Sequence, residues 1–266
     1  MGHRFIENAY KGRNQWLHYL VILGGAEFYW RFFGYSTLLL GQGILSLLSL
    51  PAVVVERISG HLPFAVVFAW LAFMMPAAHE RPCVSLINAE AAINFRRILQ
   101  GGFAYAGISM VWVFIDVWIY PAHYAWQFDP MQWFPLLIFS LLLVPIQTSI
   151  EELLFRGYIM QGLRLLTRHS FVIVIVSSLL FSMIHWGYPE MGRGAFVWCA
   201  LNYFTWGIIF AVITLKDNGL ELAFGVHAAN NIVSSVLVTT PDSVIQTPAM
   251  YAYLEPIDPR HSLVAL

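Results

Sequence analysis

Charge is scarce in this sequence. Lys, Arg, Asp and Glu make up 11% of its 266 residues, whereas a soluble domain carries charge at about 25% of its positions. With 59% of the residues hydrophobic, the deficit excludes a surface that faces water on every side. A strong net charge is also missing. The formal balance is −1, so no basic face argues for nucleic acid, and none is expected as a partner. Cysteine is nearly absent: Cys83 and Cys199 form neither a disulfide framework nor a metal-binding spacing, and each reads as a small apolar filler. A cleavable leader is not expected either. The first fifteen residues are polar and basic, the apolar stretch behind them is broken by Glu27 and Arg31, and no convincing cleavage site follows. A retained first span is expected instead.

What remains is a series of long apolar runs with Trp and Tyr at several of their ends, as membrane interfaces favour. A spanning helix needs about 20 mostly apolar residues. Such stretches lie near 35–55, 62–78, 101–120, 134–160, 171–187, 196–215 and 220–240. The expected fold class is all-α: a polytopic transmembrane bundle of seven spans, or eight if 17–33 also crosses. Glu27 and Arg31 are four apart and can pair on one helical face, so an interfacial helix is the preferred reading of 17–33. With seven spans and a cytoplasmic N-terminus, the inner segments hold Arg4, Lys11, Arg13, Arg81, Arg96, Arg97, Arg164, Arg168 and Lys216. The outer ones hold Arg57, Arg193 and Arg260. That bias fits positive-inside insertion. Segment 79–100 reads as a connecting loop, part helical. No repeat divides the chain, and residues 1–266 are expected to form one transmembrane domain.

Within a span, a charged residue costs about 2.5–3.5 kcal/mol on insertion scales. Span four nonetheless carries three: Glu151, Glu152 and Arg156. Glu152 and Arg156 sit one turn apart on one face and can offset each other. Glu151 is rotated by about 100°, which leaves it the freer carboxylate, as a catalytic base must be. A plainer reading ends span four near residue 150 and begins a solvated helix there. Phe181-Ser-Met-Ile-His185 in span five and His227-Ala-Ala-Asn230-Asn231 in span seven weigh against it. Measured along helices from turns near 166–169 and 216–219, Glu152, His185 and His227 lie at depths of about 21, 24 and 15 Å. The three can therefore meet inside the bundle, where buried polar groups supply one another's partners.

The ordered motifs Glu151-Glu152-x-x-x-Arg156, Phe181-x-x-x-His185 and His227-x-x-x-Asn231 resemble the CPBP family of intramembrane proteases. That family includes the type II CAAX prenyl endopeptidases and proteins linked to bacteriocin self-immunity. The flanks Pro145-Ile-Gln-Thr-Ser149 and Arg81-Pro-Cys-Val-Ser-Leu86 are similar to prokaryotic members, which implies a prokaryotic plasma membrane. The resemblance covers 134–240, the expected catalytic core. It implies an endopeptidase acting on a membrane-anchored or lipid-modified peptide, with membrane lipid as its surroundings. Carried over by motif position, Glu151 and His185 would activate water, and His227 and Asn231 would stabilise the oxyanion. Glu152 and Arg156 would form a structural ion pair, and Phe181 would support the second motif. Spacing favours Asn231 over Asn230.

Members are often called metalloproteases, and Glu151, His185 and His227 could ligate zinc. Yet His-Glu-x-x-His is absent, and using Glu151 as a ligand removes the evident base, so a metal-free glutamate mechanism is preferred. Two other classes stay open. A non-catalytic membrane scaffold or immunity factor would keep the fold without the reaction. A proton-coupled transporter would also bury Glu, Arg and His, though the polar groups here mark one site rather than a path.

Overall fold

The fold, seen in a computed structural model, is described over residues 4–47, 52–90, 92–188, 191, 196–241, 243 and 246–255. Seven long helical segments follow one another among them. The first, α1, runs over 16–46 as Trp16–Phe28, a π-helical stretch Tyr29–Gly34, and Tyr35–Ser46. Then come α2 (Ala52–His79), α3 (Phe95–Ile119), α4 (Pro130–Leu166), α5 (Ser170–Met183), α6 (Phe196–Asp217) and α7 (Glu221–Leu237). The all-α polytopic expectation holds. Four helices, Val54–His79, Phe95–Ile119, Pro130–Leu166 and Phe196–Asp217, are long and apolar enough to cross a membrane, and Ser170–Met183 is a shorter apolar helix.

Three boundaries differ from the sequence reading. Segment 17–33 is not a separate interfacial helix; it continues through the π stretch into the helix expected at 35–55. The first helix ends at Ser46 and the next runs from Ala52, so 56–61 is helical rather than a break between spans. There Arg57 and His61 look like a polar interruption, but both are buried on the face of α2 that also carries Val54, Val67, Leu71 and Met75. Burial on one stripe lets a polar pair remain helical inside an apolar span. The third difference lies at 79–100. The connection ends at Asn94, whose side chain accepts from the Arg97 backbone N–H and starts α3.

The two ends of the bundle are built differently. At one end the amino-terminal segment packs Phe5 and Ile6 into the main core beside Leu71, Met75, Leu86, Tyr158 and Phe224. Asn8 donates to the carbonyls of Ser85 and Asn88, each at 2.9 Å, and the Phe5 backbone N–H reaches Asn218 at 3.0 Å. At the other end an unexpected sheet closes the loops. Its strands are β1 (Tyr124–Trp126), β2 (Val238–Thr239) and β3 (Tyr251–Tyr253), in the order β1-β3-β2. Tyr124 pairs antiparallel with Tyr253, and Val238 pairs parallel with Tyr251.

Between these ends large apolar side chains point outward. Phe103, Ile108 and Trp118 of α3 are 74%, 71% and 82% exposed, the reverse of a soluble helix and the expected state of a lipid-facing one. Cohesion in lipid rests on close packing and polar contacts between helices rather than on exclusion of water. The tightest seam joins α3 and α7, which run parallel. A Cβ on Gly101 would lie 2.6 Å from the Leu222 carbonyl oxygen, and one on Gly225 would collide with the Ile98 carbonyl. These glycines let the two backbones touch.

Candidate active site

Glu151 and Glu152 end the regular part of α4, and the chain then widens into a π-helical segment, Leu153–Ile159. Such extra-residue turns recur at functional sites. Arg156 lies within it, fully buried, and its Nη1 donates to Glu152 Oε1 at 2.9 Å. Nη2 donates to the Gly207 carbonyl of α6 at 3.2 Å. The guanidinium carbon also stands 4.2 Å from the centre of the Phe181 ring and 5.1 Å from that of Phe210, so ring faces supply attraction where water cannot. Glu152 is as buried as Arg156. Together they offset part of each other's desolvation cost, and removing either would leave an uncompensated buried charge.

His227 joins this pair from α7. Its Nδ1 lies 2.8 Å from Glu152 Oε1, the same oxygen that Arg156 holds. Its Nε2 faces Glu151 Oε2 at 3.8 Å, and its ring stacks on Phe210 at 4.4 Å with planes 20° apart. Glu151 keeps slight exposure, 11% of its side chain against none for Glu152. Its Oε1 accepts from Gln147 Nε2 at 3.2 Å. The two neighbouring carboxylates are thus placed differently: one is sealed between Arg156 and His227, and the other borders the space beyond them.

His185 sits in the turn just past α5 rather than inside the expected span 171–187; the helix ends at Met183. Its Nδ1 lies 2.7 Å from the Phe181 carbonyl, and its ring stacks on Tyr203 at 4.1 Å. The Phe181 ring adjoins both histidines, with centroids 4.7 Å from His185 and 6.1 Å from His227. Among the described residues no hydrogen bond or ion pair joins His185 to Glu151. Asn231 lies one turn beyond His227 on α7, half-buried, and its Oδ1 accepts from Asn230 Nδ2 at 3.0 Å.

The alternative ligand set of Glu151, His185 and His227 does not assemble. Among the described residues no three of His, Cys, Asp and Glu gather as a group able to hold a metal ion. Both His227 nitrogens face carboxylates, and His185 Nδ1 faces a backbone carbonyl. A metalloprotease arrangement has no support in this geometry.

Several neighbours of the motifs escaped the sequence reading. Gln147 was read only as part of the flank Pro145–Ser149, though it stands one turn before Glu151 and could have been found as its partner. Phe210 and Tyr203 carried no signal: an aromatic in an apolar run reads as packing until its partner is known.

Residues 130–233 match a family model described as type II CAAX prenyl endopeptidase Rce1-like. An uncharacterized protein of Bacillus subtilis (strain 168), YyaK, is 36% identical over 182 residues, covering 68% of this chain and 60% of that protein. The chain therefore matches less than two thirds of that relative's length. No solved structure matches it.

Proposed function

We propose that this chain, whose residues 130–233 match an Rce1-like family model, is an intramembrane endopeptidase that cleaves a membrane-anchored or lipid-modified peptide. One observation carries the reading: Glu151, the charged pair Glu152–Arg156 and His227 converge within the bundle, with Asn231 one turn from His227. Residues 134–240 would form its catalytic core.

In this mechanism Glu151 takes a proton from water as its oxygen attacks the scissile carbonyl carbon. His185, across the Phe181 ring, orients that water. The carbonyl oxygen becomes an oxyanion held by Asn231 Nδ2 and His227 Nε2. Glu151 then passes its proton to the departing amine, so one water is consumed and a carboxylate and an amine result. The Glu152 carboxylate, already held by Arg156, accepts from the Nδ1–H of His227. A second donor at Nε2 exists only when both ring nitrogens carry protons. The surrounding lipid and the anchored peptide are the partners this reading requires.

The test is Glu151→Gln, assayed on lipid-anchored quenched peptides in liposomes. Cleavage should fall by about 10²–10⁴-fold, the usual worth of a general base, while thermal unfolding stays unchanged. Wild-type protein that folds yet cleaves none of a varied panel would leave the chain a scaffold.

A further inference from the structure

Asn230 is no mere neighbour of the third motif. Its Nδ2 donates to Asn231 Oδ1 at 3.0 Å, and its Oδ1 accepts from the Tyr105 hydroxyl of α3 at 2.7 Å. We propose that Tyr105 and Asn230 are positioning residues that aim the Asn231 amide, turning its Nδ2 toward the reacting carbonyl. This rests on the protease reading above and deepens it.

A primary amide has one accepting and one donating end, and only the donating end can serve an oxyanion. Asn231 on a half-buried helix face could rotate about its last torsion and present either. The hydrogen bond from Asn230 occupies the accepting end, which leaves the donating end for the site. Asn230 has the same ambiguity, and the Tyr105 hydroxyl resolves it in turn. A donor fixed before the reaction costs no reorganisation when charge develops, which is why such preorganisation is worth more than the bond itself.

The packing around the relay keeps it in place. The glycine contacts of α3 with α7 lie one turn before Tyr105 and just over one turn before Asn230, and hold the two helices in register. Tyr105 also meets Trp206 edge-on at 5.7 Å, Trp206 stacks on Phe210 at 5.2 Å, and Phe210 stacks on His227. One aromatic row therefore connects the residue that aims Asn231 to the ring beneath His227, so that both oxyanion donors share a support.

Asn230→Asp distinguishes aiming from packing. It is nearly isosteric, but its carboxylate only accepts, so it captures the Asn231 Nδ2 and turns the wrong end outward. The assay uses full-length protein in liposomes with a panel of lipid-anchored quenched peptides, a farnesylated one included. Asn230→Asp should lower kcat by roughly 10²–10³-fold, the scale of one lost oxyanion donor, with KM little changed. Asn231→Ala should do the same, and the double variant should be no worse than either. Tyr105→Phe should lower kcat by a smaller factor in the wild-type background and by none beside Asn231→Ala. Thermal unfolding checks that each variant folds. An active Asn230→Asp beside a crippled Asn231→Ala would overturn the relay alone, as would fully additive losses. A wild type that cleaves nothing would overturn the protease reading and the relay with it; cleavage indifferent to Asn231→Ala would overturn the oxyanion role of Asn231 and the relay, and leave the protease reading standing.

Discussion

Two of the buried arginines, Arg156 and Arg81, keep different company. Arg156, at 0% exposure, meets a carboxylate, a carbonyl and two aromatic faces in the middle of the bundle. Arg81, at 3%, lies at the amino-terminal end and meets neutral oxygens: the Asn8 carbonyl and Gln161 Oε1, the latter at 3.0 Å. Burial holds its guanidinium below the usual arginine range, with Tyr19 and Tyr158 acting against that shift. Around Arg81 the hydrogen bonds run from element to element. Gln161 donates to Ser85, Asn8 to Ser85 and Asn88, and Asn88 to Glu221. They tie four segments into one end. Around Arg156 they converge, and they leave Glu151 at the border with spare accepting capacity. Burial of charge thus shows where a fold spends stability. A reactive site additionally needs a group left partly unengaged.

That contrast can be broken by substitution. The largest effect is expected at Glu152→Gln, which leaves Arg156 without its counter-charge. It should destabilise the protein by about 3–5 kcal/mol, seen as a drop in unfolding temperature in detergent and in purified yield. If Glu151→Gln destabilises equally, the two carboxylates do not divide their work as described. Arg81→Met should cost less, on the order of 1–3 kcal/mol, because it orphans neutral acceptors rather than a charge. Peptide cleavage per folded molecule should survive it; loss of cleavage at unchanged stability would make the amino-terminal web part of the site.

The mildest intervention is a reporter fusion, which should change no energy. Fusions after Asn88 or Arg168 should report one side of the membrane, the cytoplasmic one by the Lys and Arg bias, and a fusion at Gln127 the opposite side. The same side for all three would undo the separation of the two ends.

The sequence made the mid-membrane cluster legible because each of its charges is expensive in an apolar run. Glu151, Glu152 and Arg156 stand out for that reason, and His185 and His227 join them only through the depth at which they lie along their helices. The same logic misread Arg57 and His61 as a break, since cost does not say whether a polar residue ends a helix or turns inward. The π segments at Tyr29–Gly34 and Leu153–Ile159 left no trace, because one extra residue in a turn barely alters an apolar run that has little periodicity to begin with. The sheet was missed because its strands are two or three residues long, shorter than any alternation that could announce them. Tyr105 was invisible for another reason: a tyrosine in a membrane helix is ordinary, and only the partner on α7 gives its hydroxyl a purpose.

The bilayer-borne substrate of the protease reading would have to pass between helices or enter at an end, and the seam of α3 with α7 is a poor door. Two backbones brought together through Gly101 and Gly225 would have to surrender their closest packing before anything could slip between them, and lipid tails would repay little of it. The wall that carries Asn231 is therefore the fixed side of the bundle. Whatever motion admits a peptide belongs to the helices on the other side of Glu151.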